Sequence, residues 1–344
     1  MRSDLATLAY VRRLCFDVLN RPPAPAESAA LTGMPIERVS RQTWRRREAM
    51  EEWLEDELWF HLLIDRFRPQ TKAILGLPDR LAQGTATARD ATAEILLSTG
   101  FSLRNPGNDT FVTVVLESCL GLTVQERKAR AELDAGKQLY DGRRARFLGQ
   151  DGDSQADVVR ITLGQDAFRE RLLDRNHRRL FGAPLATRGR AAVEALVARW
   201  RDDESAFFGI LAEWTQAADY VAAVAVKRPR THRQLVRALY FDVLERAPTY
   251  DELRNMRNAL QSMADPAPLR AVFSKLMLDS TAAKLPVLVA GEERDFVRAC
   301  FLRYLGREPT QAEAGEFAAV LGEAGASGKH VVQALLTSVE YGYC

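Results

Sequence analysis

The sequence predicts an all-α protein built from tandem three-helix units, and three observations carry that prediction. The chain repeats itself: Val11–Pro23 (VRRLCFDVLNRPP), Val236–Pro248 (VRALYFDVLERAP) and Val297–Pro309 (VRACFLRYLGREP) align without a gap. Apolar residues in these stretches keep the spacing of one helix face, as in Val297, Cys300, Phe301, Tyr304 and Leu305. Each stretch then stops and restarts, because Pro23, Pro248 or Pro309 blocks the helix and Glu27, Glu252 or Glu313 follows four residues later.

The last unit shows how one copy is built. Gly306 supplies a left-handed stop after Leu305, and Thr310 with Glu313 forms a capping box for a second helix. Gly322–Gly328 breaks that helix, and a third ends in Leu335-Leu336-Thr337-Ser338-Val339-Glu340-Tyr341. The unit spans about 45–50 residues, a length typical of solenoid-type repeats. The same template finds the box Thr249/Glu252 after Arg246, the box Thr123/Glu126 after Gly121, and a stop at Leu180–Pro184. In the first unit Ala24 replaces the capping hydroxyl while Glu27 remains, so that helix start is expected to be weaker by roughly 1 kcal/mol. Five units are clear, and Arg80–Phe101 parallels Val320–Tyr341 as a degraded sixth. These are expected to pair into bundles or a short array.

Boundaries between units divide the chain into three blocks: 1–105, 106–226 and 227–344. Residues 138–156, with Gly142, Gly149 and Gly152 among charges, read as an enlarged loop. Lys227–Arg233 (KRPRTHR) reads as a hinge.

Phe296-Val297, Leu305-Gly306-Arg307, Pro309-Thr310, Glu313, and Ser338 with Glu340-Tyr341 make a pattern that resembles a phycobilisome-linker-like bacterial helical repeat domain of unknown function. It is also similar to the Leu-Gly-Arg-Pro-Pro helical domains of planctomycete cytochrome-associated proteins. The resemblance implies an all-α fold with a role in assembly or linkage, and it does not imply a catalytic site. Two features depart from it: there is no CxxCH for haem, and no secretion signal is visible.

Composition narrows the function classes. With 47% hydrophobic and 27% charged residues the 344-residue chain is an ordinary globular one. A net charge of +2 argues against a dedicated nucleic-acid binder. No run reaches the roughly 20 apolar residues of a membrane-spanning helix, so a cytoplasmic setting is the default expectation, with secretion or a surface location as the alternative. Cys15, Cys119 and Cys300 sit in apolar helical patterns and are expected to be buried, and no CxxC is present. His61, His177, His232 and His330 have no second His or Cys at metal-ligand spacing. No nucleophile elbow, phosphate loop or dinucleotide fingerprint appears, so no catalytic residue, cofactor or metal is assigned.

Candidate contacts fall into two groups. Arg21, Arg246 and Arg307 travel with the turn and are expected to serve the helix end, by facing its carbonyls or pairing with the following Glu. The basic clusters Arg45-Arg46-Arg47 beside Trp44, Arg143-Arg144 with Arg146, and Lys227-Arg228 with Arg230 are the candidate interfaces. Trp44 is the expected exposed anchor, whereas Trp53 and Trp59 fit apolar helix faces. The functional expectation is a non-catalytic linker, scaffold or accessory subunit that binds other protein subunits or copies of itself. A surface-layer structural protein and an accessory subunit of a redox or metabolic complex are the alternatives.

Overall fold

The computed structural model describes residues 5–63, 71–123, 125 and 127–344, with no side-chain detail at 127 and 128. The fold is all-α: about 69% of it is helical, and its only sheet among the described residues is a two-stranded hairpin. The chain divides into two compact units, and not into the three consecutive blocks expected. One is assembled from Met1–Thr43 together with Gln216–Cys344, and the other is Trp44–Thr215. The difference arises because the first recurring helix finds its packing partners more than 200 residues away, which chain order conceals.

In the first unit the three recurring stretches are helices Leu8–Leu19, His232–Leu239 with Tyr240–Leu244, and Glu293–Cys300 with Phe301–Leu305. The last two finish in a widened π-type turn, as does Leu116–Leu120 in the other unit. All three recurring stretches stop in the left-handed region, at Asn20, Glu245 and Gly306. Phe16, Val236, Leu239, Val243, Val297, Phe301, Tyr304 and Leu336 share one buried core.

These three helices cap one another cyclically. Gln234 Nε2 donates to the carbonyl of Phe16 near the end of the first (3.1 Å). Arg303 donates through Nε and Nη2 to the carbonyl of Asp242 near the end of the second (3.0 and 2.7 Å). Arg12, from the first, donates to the carbonyls of Arg303 and Tyr304 near the end of the third (2.5 and 3.0 Å). The last carbonyls of a helix have no partner within it, so each end is satisfied by the next helix.

Gly306 is required for this closure. Its φ is +72°, and a Cβ there would lie 2.3 Å from Arg12 Cδ. Gly306→Ala is therefore expected to cost about 2–3 kcal/mol, from left-handed strain plus loss of the Arg12 cap. Gly325→Ala, at φ +86° but with open space around it, is expected to cost only about 1 kcal/mol. Urea titration of the two variants checks the difference.

The Trp44–Thr215 unit has an aromatic core. Trp53 packs edge-on to Phe207 and Phe208, and Trp200 lies against Phe168 and Phe207. The 138–156 segment is a hairpin rather than a loop: Ala145–Phe147 pairs antiparallel with Gln150–Gly152 across a Leu148-Gly149 turn. Both turn residues have positive φ, and the Leu148 amide is tied to Glu132 Oε2 at 2.6 Å. Buried Phe147 lies against helical Gly136, where a Cβ would come within 3.1 Å of its ring.

Candidate interaction surfaces

The recurring turn residues form one geometry three times. Arg21 grips Glu27 through both guanidinium nitrogens (2.6 and 3.0 Å), and Glu27 also accepts the Ala24 amide (2.7 Å). Arg246 holds Glu252 in the same way (2.8 and 2.7 Å), with Glu252 on the Thr249 amide. Arg307 holds Glu313 (2.9 and 2.7 Å), with Glu313 on the Thr310 amide. In each case the Arg Nη1 also reaches the carbonyl of the next residue, Pro22, Ala247 or Glu308. The guanidinium stacks on an aromatic ring as well: Phe241, Tyr240 and Phe301 respectively. Ala24 lacks a hydroxyl, yet the fork still orients Glu27. Hydrogen bonds from Arg246 and Arg307 hold Glu252 and Glu313 down at about 2. Thr123 is exposed ahead of the helix Arg127–Tyr140, and Glu126 lies outside the described residues.

The candidate interfaces fare differently. Trp44 is not an exposed anchor: it is 1% exposed, and its indole donates to Thr215 Oγ1 at 3.2 Å. The helix Ile36–Trp44 ends there and a new one starts at Arg47, which turns Trp44 inward while Arg45 remains exposed. Arg46 is half-buried, and Arg47 pairs with Glu51 and Asp79, each at 2.8 Å. Trp59, placed by its spacing on an apolar face, is 57% exposed. On the hairpin, Arg143 pairs with Asp141 (3.0 Å) and Arg144 approaches Asp151 (3.7 Å). Arg146 is exposed with no ionic partner among the described residues. That cluster is close to charge-balanced and is not a basic patch.

Lys227–Arg233 is not a hinge: Lys227–Arg230 is a bound strap, and Thr231 caps the helix His232–Leu239 that follows. Arg228 and Cys344 exchange backbone hydrogen bonds at 2.9 Å, and Arg230 N donates to the Gly342 carbonyl at 2.8 Å. Lys227 pairs with Glu340, and Arg228 Nη2 reaches Asp17 Oδ1 at 2.5 Å. Arg230 is 9% exposed and sits between the rings of Phe16 and Tyr341. These cations are used inside the fold.

Two buried Asp–Tyr pairs lie beside that strap. Tyr220 Oη donates to Asp17 Oδ2 (2.7 Å), which also accepts Arg13 Nε (3.0 Å). Tyr341 Oη donates to Asp242 Oδ2 (2.8 Å). Burial pushes the Asp242 carboxyl up, while Arg12, Arg230, Tyr341 and Arg303 work against that rise. Asp17 and Asp242 occupy the same place in the recurring Phe-Asp-Val-Leu, which is the signal that could have found them.

In the other unit, Arg175 joins the helices Arg47–Leu62 and Asp166–Phe181 by pairing with Glu57 at 2.6 Å while stacking on Phe60. Burial opposes ionisation of Glu57, but Arg175 and His61 together hold it below the usual carboxylate range. Burial keeps His61 below its ordinary value. Cys119 is pushed up to about 11 by burial, so its thiol is inert near neutral pH. Among the described residues no three metal-ligating side chains come together.

An extended exposed apolar surface lies on the helix Ala267–Leu278. Pro268, Val272 and Leu276 repeat every four residues on its outer side, with Val272 51% and Leu276 63% exposed. Lys275 and Asp279 pair beside this stripe at 2.7 Å. Its inner side, Ser274, Met277 and Leu278, is buried. No described helix is long and apolar enough to cross a membrane. No known protein family matches the chain, and no curated protein is similar to it.

Proposed function

We propose that the chain is a non-catalytic linker or scaffold subunit of a larger protein assembly, with the outer stripe of Ala267–Leu278 as a docking face. The observation that carries this reading is that stripe: Val272 and Leu276 are held open to solvent on a helix whose other side is firmly packed. A helix so placed fits the helix-in-groove mode of recognition, in which residues four apart anchor a partner. The recurring Arg–Glu turns support the reading in a second way. They are spent on joining helices rigidly, which suits a protein whose task is to hold surfaces in place.

The test is native isolation of the chain at low salt, with and without Leu276→Lys. Wild-type protein is expected to elute above the size of a single chain with distinct polypeptides, and Leu276→Lys to release them while its circular dichroism is unchanged. Identical sets of polypeptides recovered with both proteins, or none with either, would sink the proposal.

A further inference from the structure

The turn between the helices Asp166–Phe181 and Arg190–Asp202 is fastened to the first of them at three points. Asp174 Oδ1 accepts the Leu185 amide at 2.7 Å. His177 Nδ1 lies 2.8 Å from the Ala183 carbonyl, and Arg188 Nε donates to His177 Nε2 at 2.8 Å. Arg188 also covers the rings of Phe181 (4.6 Å) and Trp214 (5.9 Å). Gly182 and Gly189, both at positive φ, turn the chain at the two ends of this segment.

These bonds fix the charge of His177. A carbonyl only accepts, so Nδ1 carries a proton; a guanidinium only donates, so Nε2 is bare. The imidazole is therefore neutral. It is 2% exposed, stacked on Phe181 and edge-on to Trp214. A second proton would set N–H against N–H, and cation against cation, across the Arg188 contact.

The other charges around the ring do not replace that contact. On the same helix Asp174 stands three residues back, with its oxygens engaged by Leu185 N and Arg178 Nε at 2.7 Å each. Burial opposes ionisation of Asp174, but Arg178 and the Leu185 amide hold it below the usual carboxylate range. From the helix Ala206–Trp214 the ring meets uncharged Trp214, while neighbouring Glu213 pairs with Arg199 at 2.6 Å.

We propose that His177 and Arg188 form an acid-released latch on this turn. Protonation at Nε2 ejects Arg188, which uncovers Phe181 and Trp214 and frees residues 186–189. Ionised Asp174 keeps Leu185 tied, so the release is confined to the Arg188 end. The latch is closed above the ordinary imidazole value of about 6.5 and is lost as pH falls below it. It is independent of the Ala267–Leu278 stripe.

Hydrogen exchange of the full chain at about pH 7.5 and about pH 5, on either side of the ordinary imidazole value, tests this once rates are corrected for the intrinsic effect of pH. The amides of Thr187 and Gly189, which donate to the carbonyls of Pro184 and Ala186 at 3.1 and 3.0 Å, report on the turn. They are expected to exchange roughly tenfold faster in acid, while the amides of residues 193–200 stay protected. His177→Phe keeps a ring that takes no proton, and Arg188→Met removes the donor; each should leave the turn equally open at both pH values. Wild-type rates unmoved by acid, an acid step that survives either substitution, or protection lost throughout Arg190–Asp202 together with the turn would each overturn the proposal.

Discussion

Asp242→Ala is expected to destabilise the unit formed by Met1–Thr43 and Gln216–Cys344 by about 3–5 kcal/mol. Asp242 is 3% exposed and is the only carboxylate among the groups that set its own ionisation, against Arg12, Arg230 and Arg303. Removing it leaves buried Arg12 without the carboxylate that favours its charge and Tyr341 Oη without its acceptor, whereas Arg303 keeps Glu245 at 3.1 Å. Set against a typical total stability of about 5–15 kcal/mol, the loss is enough to make this unit unfold first. Urea denaturation should show that unit's transition at markedly lower concentration, with the Trp44–Thr215 transition unmoved. A shift below about 1 kcal/mol would show that the pair contributes little. The pH dependence has a definite sign. A carboxyl whose folded pKa is raised binds its proton more tightly in the fold. Its contribution is therefore greatest below the unfolded value near 3.9 and declines as pH rises through the folded one.

The second large effect separates three turns that look alike in sequence. Arg21→Ala is expected to cost about 3 kcal/mol, because its side chain is 6% exposed and Glu27 would remain half-buried without a counter-ion. Arg246→Ala, whose guanidinium makes the same contacts at 45% exposure, is expected to cost under about 1 kcal/mol. Thermal denaturation of the two variants checks the ordering, and equal losses would show that burial does not set the strength of this turn. Acid weakens the Arg246 and Arg307 turns in a predictable window. Glu252 and Glu313 have folded pKa values of about 2, below the ordinary 4.5, so their contribution is present above pH 4.5 and is lost as pH falls toward 2.

Much of this was legible in local sequence. The capping boxes at Thr249/Glu252 and Thr310/Glu313 form as read, because a cap is an interaction over three residues. Ser98 and Ser338 both accept the amide three residues on, from buried Phe101 and Tyr341, a local likeness between the ends of Arg80–Phe101 and Val320–Tyr341. What sequence concealed lies in pairs of distant residues. Lys227–Arg233 looks like a hinge until Asp17, Glu340, Phe16 and Tyr341 are brought to it from far along the chain. Trp44 looks exposed because arginines follow it, but the helix break at Arg45-Arg46 resets the face. The outer stripe of Ala267–Leu278 escaped notice for the opposite reason. Apolar residues at helical spacing read as core, and only the packed structure shows which side faces solvent.

The cyclic capping of the three recurring helices has a consequence for biosynthesis. Leu8–Leu19 leaves the ribosome ahead of its partners, and its Arg12 has its carbonyl acceptors only once Phe301–Leu305 is made, roughly 280 residues later. At about 5–20 residues per second the nascent helix waits roughly 15–60 s with Val11, Leu14 and Val18 uncovered. Trp44–Thr215 can complete its own core in that interval, since all of its sequence has by then been translated. The ring therefore closes late, once Phe301–Leu305 has been made and the sequence between its halves is available to fold.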